Sequence, residues 1–243
     1  MPRINVRTGL RSIALAACFV LGSTAVMASR PLTTEDAGVI DAGDVELESY
    51  YHRQTAHDAP ALSGFHVRPN LGIGLRTQLG IGVDTLRQYD EASATRRSSG
   101  EYAIAAKTGL KELTDDSYGI ALAYGVDRTR AAGERFRYDN AYINSALSVP
   151  LGQWLLHANL GWQRSRLAET RATTWALAAE RTQALGPIDL AVEMFGTDHD
   201  PAWLQVGARW VVKEERLFVD ASYGVQTGSS RARLLTVGCK LAF

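Results

Sequence analysis

Apolar and polar residues alternate along most of the chain from Val45 to its last residue. Between Tyr118 and Asp127, large apolar residues alternate with Gly, Ala or Asp. The same division recurs from Trp154 to Gln163 and from Leu217 to Gln226. A period of two residues is typical of a β-strand with one apolar and one polar face, and no clear helical period appears after Val45. The pattern therefore predicts an all-β fold.

The strand-like segments are long and numerous. We count about twelve, most of them about ten to thirteen residues long, which is the length a tilted strand needs to cross a bilayer. Strands of soluble sandwiches are nearer five or six residues, so a secreted β-sandwich is the less favoured alternative. The predicted segments are residues 45–54, 63–75, 77–88, 100–111, 118–128, 139–150, 153–164, 172–185, 187–197, 203–213, 215–226 and 232–243.

The connections between these segments alternate between short and long. Short turns are predicted at 76–77, 150–152, 186–187 and 213–216, with a longer member at 112–117, and polar loops at 55–64, 89–101, 128–139, 164–172 and 197–202. Such alternation is typical of an antiparallel barrel in an outer membrane, with turns on the periplasmic side and loops outside. We therefore predict a transmembrane antiparallel β-barrel of about twelve strands over residues 45–243.

The last segment ends the chain on an aromatic residue. In hydrocarbon every backbone polar group needs a partner within the protein, and a closed sheet leaves no edge. We therefore expect residues 236–243 to pair with the first strand, with Thr236, Gly238, Lys240 and Ala242 inward and Val237, Cys239, Leu241 and Phe243 toward lipid. A terminal Phe243 also resembles the signal by which bacterial outer-membrane barrels are handed to their insertion machinery.

The N-terminus has the composition of a secretory signal peptide. Basic residues precede an apolar run from Ile13 to Met27, and small residues flank a cleavage site after Ala28. Residues 1–28 are thus predicted to be removed, which leaves Cys239 as a single cysteine. Two alternatives are a membrane anchor and lipid attachment at Cys18; the run is short for the first, and cleavage before Cys18 leaves a short apolar region for the second.

Residues 29–44 are then a periplasmic N-terminal segment before the barrel. They contain the stretch Arg30 to Gly38, which is either a plug for the barrel or a leader to the first strand. The formal net charge of the whole chain is +0, with 26 basic and 26 acidic residues. This balance gives no electrostatic indication of a nucleic-acid partner. The expected partners are outer-membrane lipid and lipopolysaccharide, the insertion machinery, and a small-molecule solute.

Polar residues on the inner face are the candidate functional residues. They form either a solute pathway or a network that only neutralises a polar interior, and about twelve strands are intermediate between a filled barrel and an open channel. The lumen-lining candidates are Glu46, Glu48, Arg68, Asp84, Lys107, Asp127, Glu180, Glu193, Arg209, Asp220 and Lys240, with His66, Asn70 and His157 on the same face. Small positions at Gly72, Gly74, Gly80 and Gly82 leave a wider lumen or room for another element.

Motifs for catalysis, metal binding or nucleotide binding are weak. The stretch GIGLRTQLGIG lacks the third glycine of a dinucleotide loop and is not followed by a helical pattern. His57 and His199 fall in predicted loops without an adjacent serine, so a lipid-modifying barrel enzyme is a minor alternative. No two histidines have a metal-ligand spacing, and we predict no cofactor, no metal and no enzymatic activity.

A second functional class is a closed structural barrel that acts through its loops. Arg96, Arg97 and the basic stretch 128–137 are then contact points for lipopolysaccharide phosphates. The alternative is ordinary solvated loop charge.

The start of the processed chain, SRPLTTEDAGVIDAGDVELESYY, resembles the opening of a family of Gram-negative outer-membrane transporters grouped with the meta-pathway of phenol degradation. The matching residues are Arg30, Pro31, Leu32, Glu35, Asp36, Gly38, Gly43, Glu46, Leu47 and Glu48. The stretch 70–84 resembles the family's second hairpin, and the C-terminal aromatic agrees. The resemblance implies an outer-membrane barrel that passes a small solute, aromatic and hydrophobic molecules included, without identifying it.

Overall fold

The computed structural model describes residues 30–57, 59–90, 95–131 and 133–243. The predicted signal peptide and its two alternatives lie outside these residues. Among the described residues, no helix is long and apolar enough to cross a bilayer. The twelve strands are β1 (Val45–Ala56), β2 (Ala59–Gly74), β3 (Thr77–Asp90), β4 (Thr95–Lys111), β5 (Gly119–Arg130), β6 (Arg137–Leu151), β7 (Trp154–Ser165), β8 (Thr170–Leu185), β9 (Ile188–Thr197), β10 (Trp203–Lys213), β11 (Leu217–Gln226) and β12 (Arg233–Ala242).

The strands form one closed antiparallel barrel. Each strand pairs with its neighbours in the chain, and β1 closes the sheet by pairing with β12. Glu48 lies opposite Lys240 in this closing pair. The Phe243 amide donates to the Val45 carbonyl at 2.9 Å, so pairing continues to the last residue. The predicted number of strands and the closed topology are confirmed, and the two-sheet sandwich is wrong.

Several strands are longer than their apolar alternation indicated. β2 begins at Ala59 and β4 at Thr95, within stretches that were expected to be loops. The difference arises because antiparallel pairing uses backbone groups, which are the same in polar and apolar residues. Ser, Thr and Arg side chains can therefore continue a hairpin beyond the part of the sheet that needs an apolar face.

The barrel has two different ends. The turn end carries the tight connections at 75–76, 152–153 and 186–187, together with Asp44 and Phe243. Gly152 and Gly186 have φ angles of 63° and 64°, which a two-residue hairpin turn requires and glycine adopts without strain. The connections at 112–118 and 214–216 lie at the same end, and the loop end carries the connections that follow β1, β3, β5, β7, β9 and β11. The alternation of connections therefore places both chain ends of the barrel at the turn end.

The outer surface of the barrel is apolar and the inner surface is polar. Ile104 and Leu160 are 62% and 61% exposed, whereas Ala121 and Ala123 on the inner face are fully buried. An exposed belt of large apolar side chains is unfavourable in water and suits a hydrocarbon environment. This division follows from the two-residue period, because successive side chains point to opposite faces of a sheet.

Candidate functional site: a lumen closed by the N-terminal segment

Residues 30–40 lie inside the barrel and residues 41–44 lie exposed at its turn end, and we call residues 30–44 the lumen plug. The plug enters at the turn end, where the Gly43 amide donates to the Gly72 carbonyl at 2.8 Å. Thr34 and Glu35 are completely buried, and Leu32 is almost so. The alternative of a leader that merely precedes the first strand therefore does not describe this segment.

Side chains of the inner wall hold the plug by its backbone. The Glu193 carboxylate accepts hydrogen bonds from the amides of Thr33 and Thr34, at 2.7 and 2.8 Å. Asn159 accepts from the Glu35 amide at 2.7 Å and donates to the Glu35 carbonyl at 2.8 Å. These bonds replace those that water would make to the extended backbone, so the plug can be buried without unsatisfied amides.

Further contacts of the same kind extend along the plug. The Ala37 amide donates to Ser148 Oγ at 2.8 Å, and the Ile40 amide donates to Gln78 Oε1 at 2.9 Å. Arg209 Nη1 donates to the Arg30 carbonyl at 3.1 Å. The plug is thus attached to strands on several sides of the lumen rather than to one wall.

Three ion pairs fix the plug at two different depths. Lys107 Nζ lies 2.8 Å from Glu35 Oε1 and 2.9 Å from Asp36 Oδ1. The Arg30 guanidinium pairs with Asp220 and lies 4.2 Å from the centroid of the Tyr50 ring. Because these pairs are buried, removing one partner leaves a charge without compensation, which is strongly unfavourable.

Small residues on the wall leave space for the plug. A Cβ atom at Gly72 would lie 1.9 Å from the Asp41 carbonyl oxygen, and one at Gly207 would lie 2.9 Å from Pro31 Cγ. No side chain can occupy the first position unless the plug backbone moves. Gly72 is one of the small positions at which the sequence indicated room for another element.

The structure places the predicted lumen candidates on the inner wall. Lys107, Glu193, Arg209 and Asp220 contact the plug directly. Arg209 also pairs with Glu180 and, through Nε, with Asp189 Oδ2 at 2.9 Å. These predicted residues are therefore brought together around one segment.

Other candidates form contacts within the wall. Lys240 Nζ lies 2.9 Å from Glu46 Oε1, and Asp127 accepts from the Asn140 amide at 3.1 Å. His66 Nδ1 lies 3.4 Å from Asp84 Oδ2. Glu48, Arg68, Asn70 and His157 are buried on the same face. Lys240 and Glu46 thus form a charge pair within the wall, whereas Asp127 and Asp84 contact an amide and a histidine ring.

Sequence reasoning missed three acidic wall residues, which are Glu101, Asp139 and Asp189, each about 5% exposed or less. The strand register could have revealed Glu101 and Asp189, because they lie directly opposite Asp84 and Arg209, which were predicted to face inward. Among the buried and half-buried side chains of the described inner wall, carboxylates then outnumber cations. The acids are Glu46, Glu48, Asp84, Glu101, Asp127, Asp139, Glu180, Asp189, Glu193 and Asp220, and the cations are Arg68, Lys107, Arg209 and Lys240.

The two plug carboxylates have opposite pKa shifts. Burial raises the pKa of Glu35 to about 8, although Lys107 partly opposes this effect, and Asp36 adds to it. Lys107 holds the pKa of Asp36 well below its ordinary value, against the effect of burial. Glu35 Oε2 has no hydrogen-bond partner among the described residues, which suits a neutral carboxylic acid. Lys107 is therefore neutralised mainly by Asp36 at neutral pH.

These shifts predict a pH dependence of plug docking. A group whose pKa is raised on docking stabilises the docked state below its free pKa, and this stabilisation is lost as pH rises through the docked value. As the pH rises from about 5 to the docked pKa of about 8, ionisation of Glu35 should therefore loosen the plug. The neighbouring ionisable groups are Lys107, Asp36, Arg68 and His157.

The measurement is amide hydrogen exchange of residues 30–43 at several pH values, corrected for the intrinsic exchange rate. Glu35→Gln should remain docked and lose most of the pH dependence. Asp36→Asn should instead loosen the plug at every pH tested, because it removes the charge that compensates Lys107. An unchanged pH dependence in Glu35→Gln would contradict the assignment.

A cavity lies between the plug and the loop end, and we call it the vestibule. Its volume is about 180 Å³. Plug residues Arg30–Thr33 line it together with inward aromatic side chains of the wall, which are Tyr50, Tyr142, Phe195 and Trp203. The plug thus divides the lumen and leaves an aromatic chamber on the side of the loops.

A serine and a histidine also meet inside the barrel. Ser148 Oγ lies 2.8 Å from His157 Nδ1, on adjacent positions of the β6–β7 hairpin. Ser148 is completely buried, and its hydroxyl oxygen accepts a hydrogen bond from the Ala37 amide. The predicted loop residue His199 instead lies exposed beside Asp198, with Nε2 3.5 Å from Oδ1. Within the described ranges, no group of three or more potential ligands is arranged to hold a metal ion.

The chain belongs to the family described as uncharacterised conserved protein UCP029691, whose pattern it matches over residues 16–243. No curated protein sequence matches the chain. This family description does not mention the meta-pathway of phenol degradation, so the resemblance to that transporter family stays a hypothesis.

Solved structures of outer-membrane barrels share the fold. The COG4313 outer membrane channel from Pseudomonas putida F1 is 12% identical, with 86% of this chain and 98% of that chain covered and a TM-score of 0.59. The KdgM porin in complex with disordered oligogalacturonate is 11% identical, with 81% and 99% covered and a TM-score of 0.52. At these identities the similarity establishes the barrel fold alone.

An outer-membrane enzyme is also similar in fold. An active-site mutant of outer membrane phospholipase A from Escherichia coli is 11% identical, with 91% of this chain and 96% of that chain covered and a TM-score of 0.50. The barrel fold is therefore compatible with both channels and enzymes, and the residues of this chain must decide between them.

Proposed function

We propose that this protein is an outer-membrane channel whose lumen is closed by its own N-terminal plug. The observation that carries the proposal is the plug itself, which fills a polar lumen through hydrogen bonds and ion pairs instead of through an apolar core. Polar contacts of this kind can be exchanged for water, so the plug can leave without unfolding the barrel. Passage of a solute then requires displacement of the plug.

Single-channel recording of the processed chain tests the proposal, beside a variant that lacks residues 30–43. If neither protein conducts while both are folded, the channel proposal fails. The similarity of the fold to porins and channels supports a transport function, and the buried position of Ser148 beneath the plug argues against catalysis.

The predicted processing and location are part of this proposal. We place the protein in the outer membrane after cleavage of residues 1–28, with the turn end in the periplasm. Residues 29–44 then form a periplasmic segment that reaches into the barrel. Phe243 is 74% exposed at the turn end, where the insertion machinery would recognise it. The meta-pathway resemblance favours a small aromatic or hydrophobic solute.

A belt of arginines favours a second, surface role. Outward-facing arginines occur on seven strands near the loop end, whereas the outward face of the described strands carries no carboxylate there. We call Arg53, Arg87, Arg96, Arg128, Arg130, Arg164, Arg171 and Arg233 the arginine collar. Guanidinium groups bind phosphate oxygens in a bidentate manner, so the collar suits the phosphates of an outer-leaflet lipid such as lipopolysaccharide.

An external groove gives one part of the collar a defined shape. Arg87, Ser98 and Arg130 line it with the loop residue Glu134, which adds one carboxylate. The Arg130 guanidinium lies 4.7 Å from the centroid of the Phe136 ring, and Arg128 Nη2 donates to the Phe136 carbonyl at 3.3 Å. The guanidinium groups of Arg128 and Arg130 are thus both held at Phe136, at the edge of the apolar belt nearest the loop end.

Replacing Arg87, Arg128 and Arg130 together by Gln should weaken the stabilisation by phosphorylated lipid. Each arginine near an anionic surface contributes about 1 kcal/mol, so the triple variant should lose roughly 3 kcal/mol. Thermal unfolding in nanodiscs with bisphosphorylated or dephosphorylated lipid A measures the difference. Arg76→Gln with Arg181→Gln, at the turn end, is the matched control and should behave as wild type. An equal response of both variants would indicate ordinary solvated charge.

A further inference from the structure

The vestibule has flat apolar walls on the side of β9 and β10. The rings of Phe195 and Trp203 lie 6.3 Å apart between centroids and are parallel to within 6°. Tyr50 on β1 and Tyr142 on β6 contribute to other parts of the lining. A comparable apolar cavity of about 150 Å³ accommodates benzene, so the volume of about 180 Å³ accepts a single six-membered ring with substituents. Aromatic walls of this kind bind flat faces, whether aromatic rings or the apolar faces of sugars.

Two buried polar atoms of this lining lack a protein partner. Trp203 is 2% exposed and Gln205 is 3% exposed, yet Trp203 Nε1 and Gln205 Oε1 have no hydrogen-bond partner among the described residues. The orientation of the Gln205 amide is fixed by its other end, because Nε2 donates to Glu193 Oε1 at 2.8 Å and to the Pro31 carbonyl at 3.4 Å. Both residues line the vestibule, so its wall contains one unused donor and one unused acceptor on neighbouring inward positions of β10.

The charges around the vestibule disfavour an anionic ligand. A carboxylate could accept from Trp203 Nε1, but it would place negative charge near Gln205 Oε1 and the acidic side chains of Glu48 and Glu193. Arg30, at the floor, already pairs with Asp220, and Arg68 also has interactions with neighbouring groups. An ammonium group could donate to Gln205 but could not accept from the indole. A hydroxyl group can both donate and accept.

We infer that the vestibule is a binding site for a small, uncharged, hydroxyl-bearing ring compound, with the ring against Phe195 and Trp203 and hydroxyl oxygens on Trp203 Nε1 and Gln205 Oε1. A role of this site in solute transport rests on the proposed function. Binding of the ring compound to the vestibule does not require that the compound crosses the barrel. A site that contains buried hydrogen-bonding groups rejects an analogue without the matching hydroxyl far more strongly than it rejects a change of size. The hydroxyl group, and not the ring alone, should therefore decide binding.

The test uses the full processed chain, folded in detergent micelles, with four probes. Benzyl alcohol and methyl glucoside represent the aromatic and the sugar form of a hydroxylated ring, toluene lacks the hydroxyl, and benzoate carries a negative charge. Trp203→Phe keeps a flat ring and removes the N–H donor. Trp210→Phe is the matched control, because Trp210 lies on the same strand but faces outward and is 53% exposed. Equilibrium dialysis measures each affinity, and the control variant corrects for partition into the micelle.

We expect at least one hydroxylated probe to bind saturably, with about tenfold weaker affinity for Trp203→Phe and no change for Trp210→Phe. Toluene and benzoate should bind at least about tenfold more weakly than that probe. Binding of benzyl alcohol would indicate an aromatic ligand, and binding of methyl glucoside would indicate a sugar. Equal affinity of both tryptophan variants, preferred binding of benzoate, or no saturable binding of either hydroxylated probe would overturn the inference. Saturable binding by a barrel that never conducts would reject the channel proposal and keep the binding site.

Discussion

Removal of residues 30–43 should convert a non-conducting barrel into a conducting one. In the intact chain the plug spans the lumen, with Thr34 and Glu35 completely buried between the walls. The side chains that hold it, including Glu193 and Asn159, are polar and become hydrated when the plug is absent. Water can then fill the path from the turn end to the vestibule. We expect no steps for the intact chain and discrete conductance steps for the shortened one.

Planar-bilayer recording of both proteins measures this difference, and circular dichroism verifies that each is folded. The substitution Gly72→Ala supplies an independent variant with the full chain, since its Cβ would lie 1.9 Å from the Asp41 carbonyl oxygen and must displace the plug backbone. It should conduct at least part of the time. Equal conductance of the intact and shortened chains would mean that the plug is not the barrier.

The unplugged lumen should also prefer cations. The buried and half-buried side chains of its described wall include ten carboxylates and four lysine or arginine side chains, and low-dielectric walls strengthen the field of such an excess. The reversal potential in a potassium chloride gradient should therefore correspond to permeation mainly by potassium. Preferential permeation by chloride would contradict this charge distribution.

The substitution Lys107→Met should release the inner part of the plug. It removes the cation that lies within 2.9 Å of both Glu35 and Asp36 and leaves the half-buried Asp36 carboxylate without compensation. Breaking a buried ion pair by removal of one partner costs about 3–5 kcal/mol. Because Asp36 is half-buried, the lower figure applies, and the docked population should fall by a factor on the order of 100.

Amide hydrogen exchange of residues 30–43 measures this release, because the amides of Glu35 and Ala37 are protected only by contacts with the wall. Lys111→Met is the matched control, since Lys111 lies on the same strand and donates to Ser117 at the turn end, away from the plug. Protection in the barrel strands should remain unchanged in both variants. If Lys107→Met keeps full protection of the plug, the ion pairs do not hold it.

Particular residues show which side-chain contacts could be predicted from the sequence and which could not. The β6–β7 turn at Gly152 and Gln153 sets the register that places Ser148 opposite His157, so this contact could have been found by counting outward from the turn. Glu101 and Asp189 required the same procedure across other hairpins. The contacts of Glu35 with Lys107 and Asn159 could not be found in this way, because they join the plug to strands that are remote in the sequence.

The sequence by itself determined a barrel of about twelve strands, their order around it and the face on which most of the side chains lie. These properties are local: the two-residue period sets the faces, and short turns pair consecutive strands. Only the tertiary structure decided that residues 30–40 occupy the lumen and that a vestibule remains beyond them. A cavity exists only after β1 pairs with β12, and the side chains that bind the plug converge only once all the strands between them are in register.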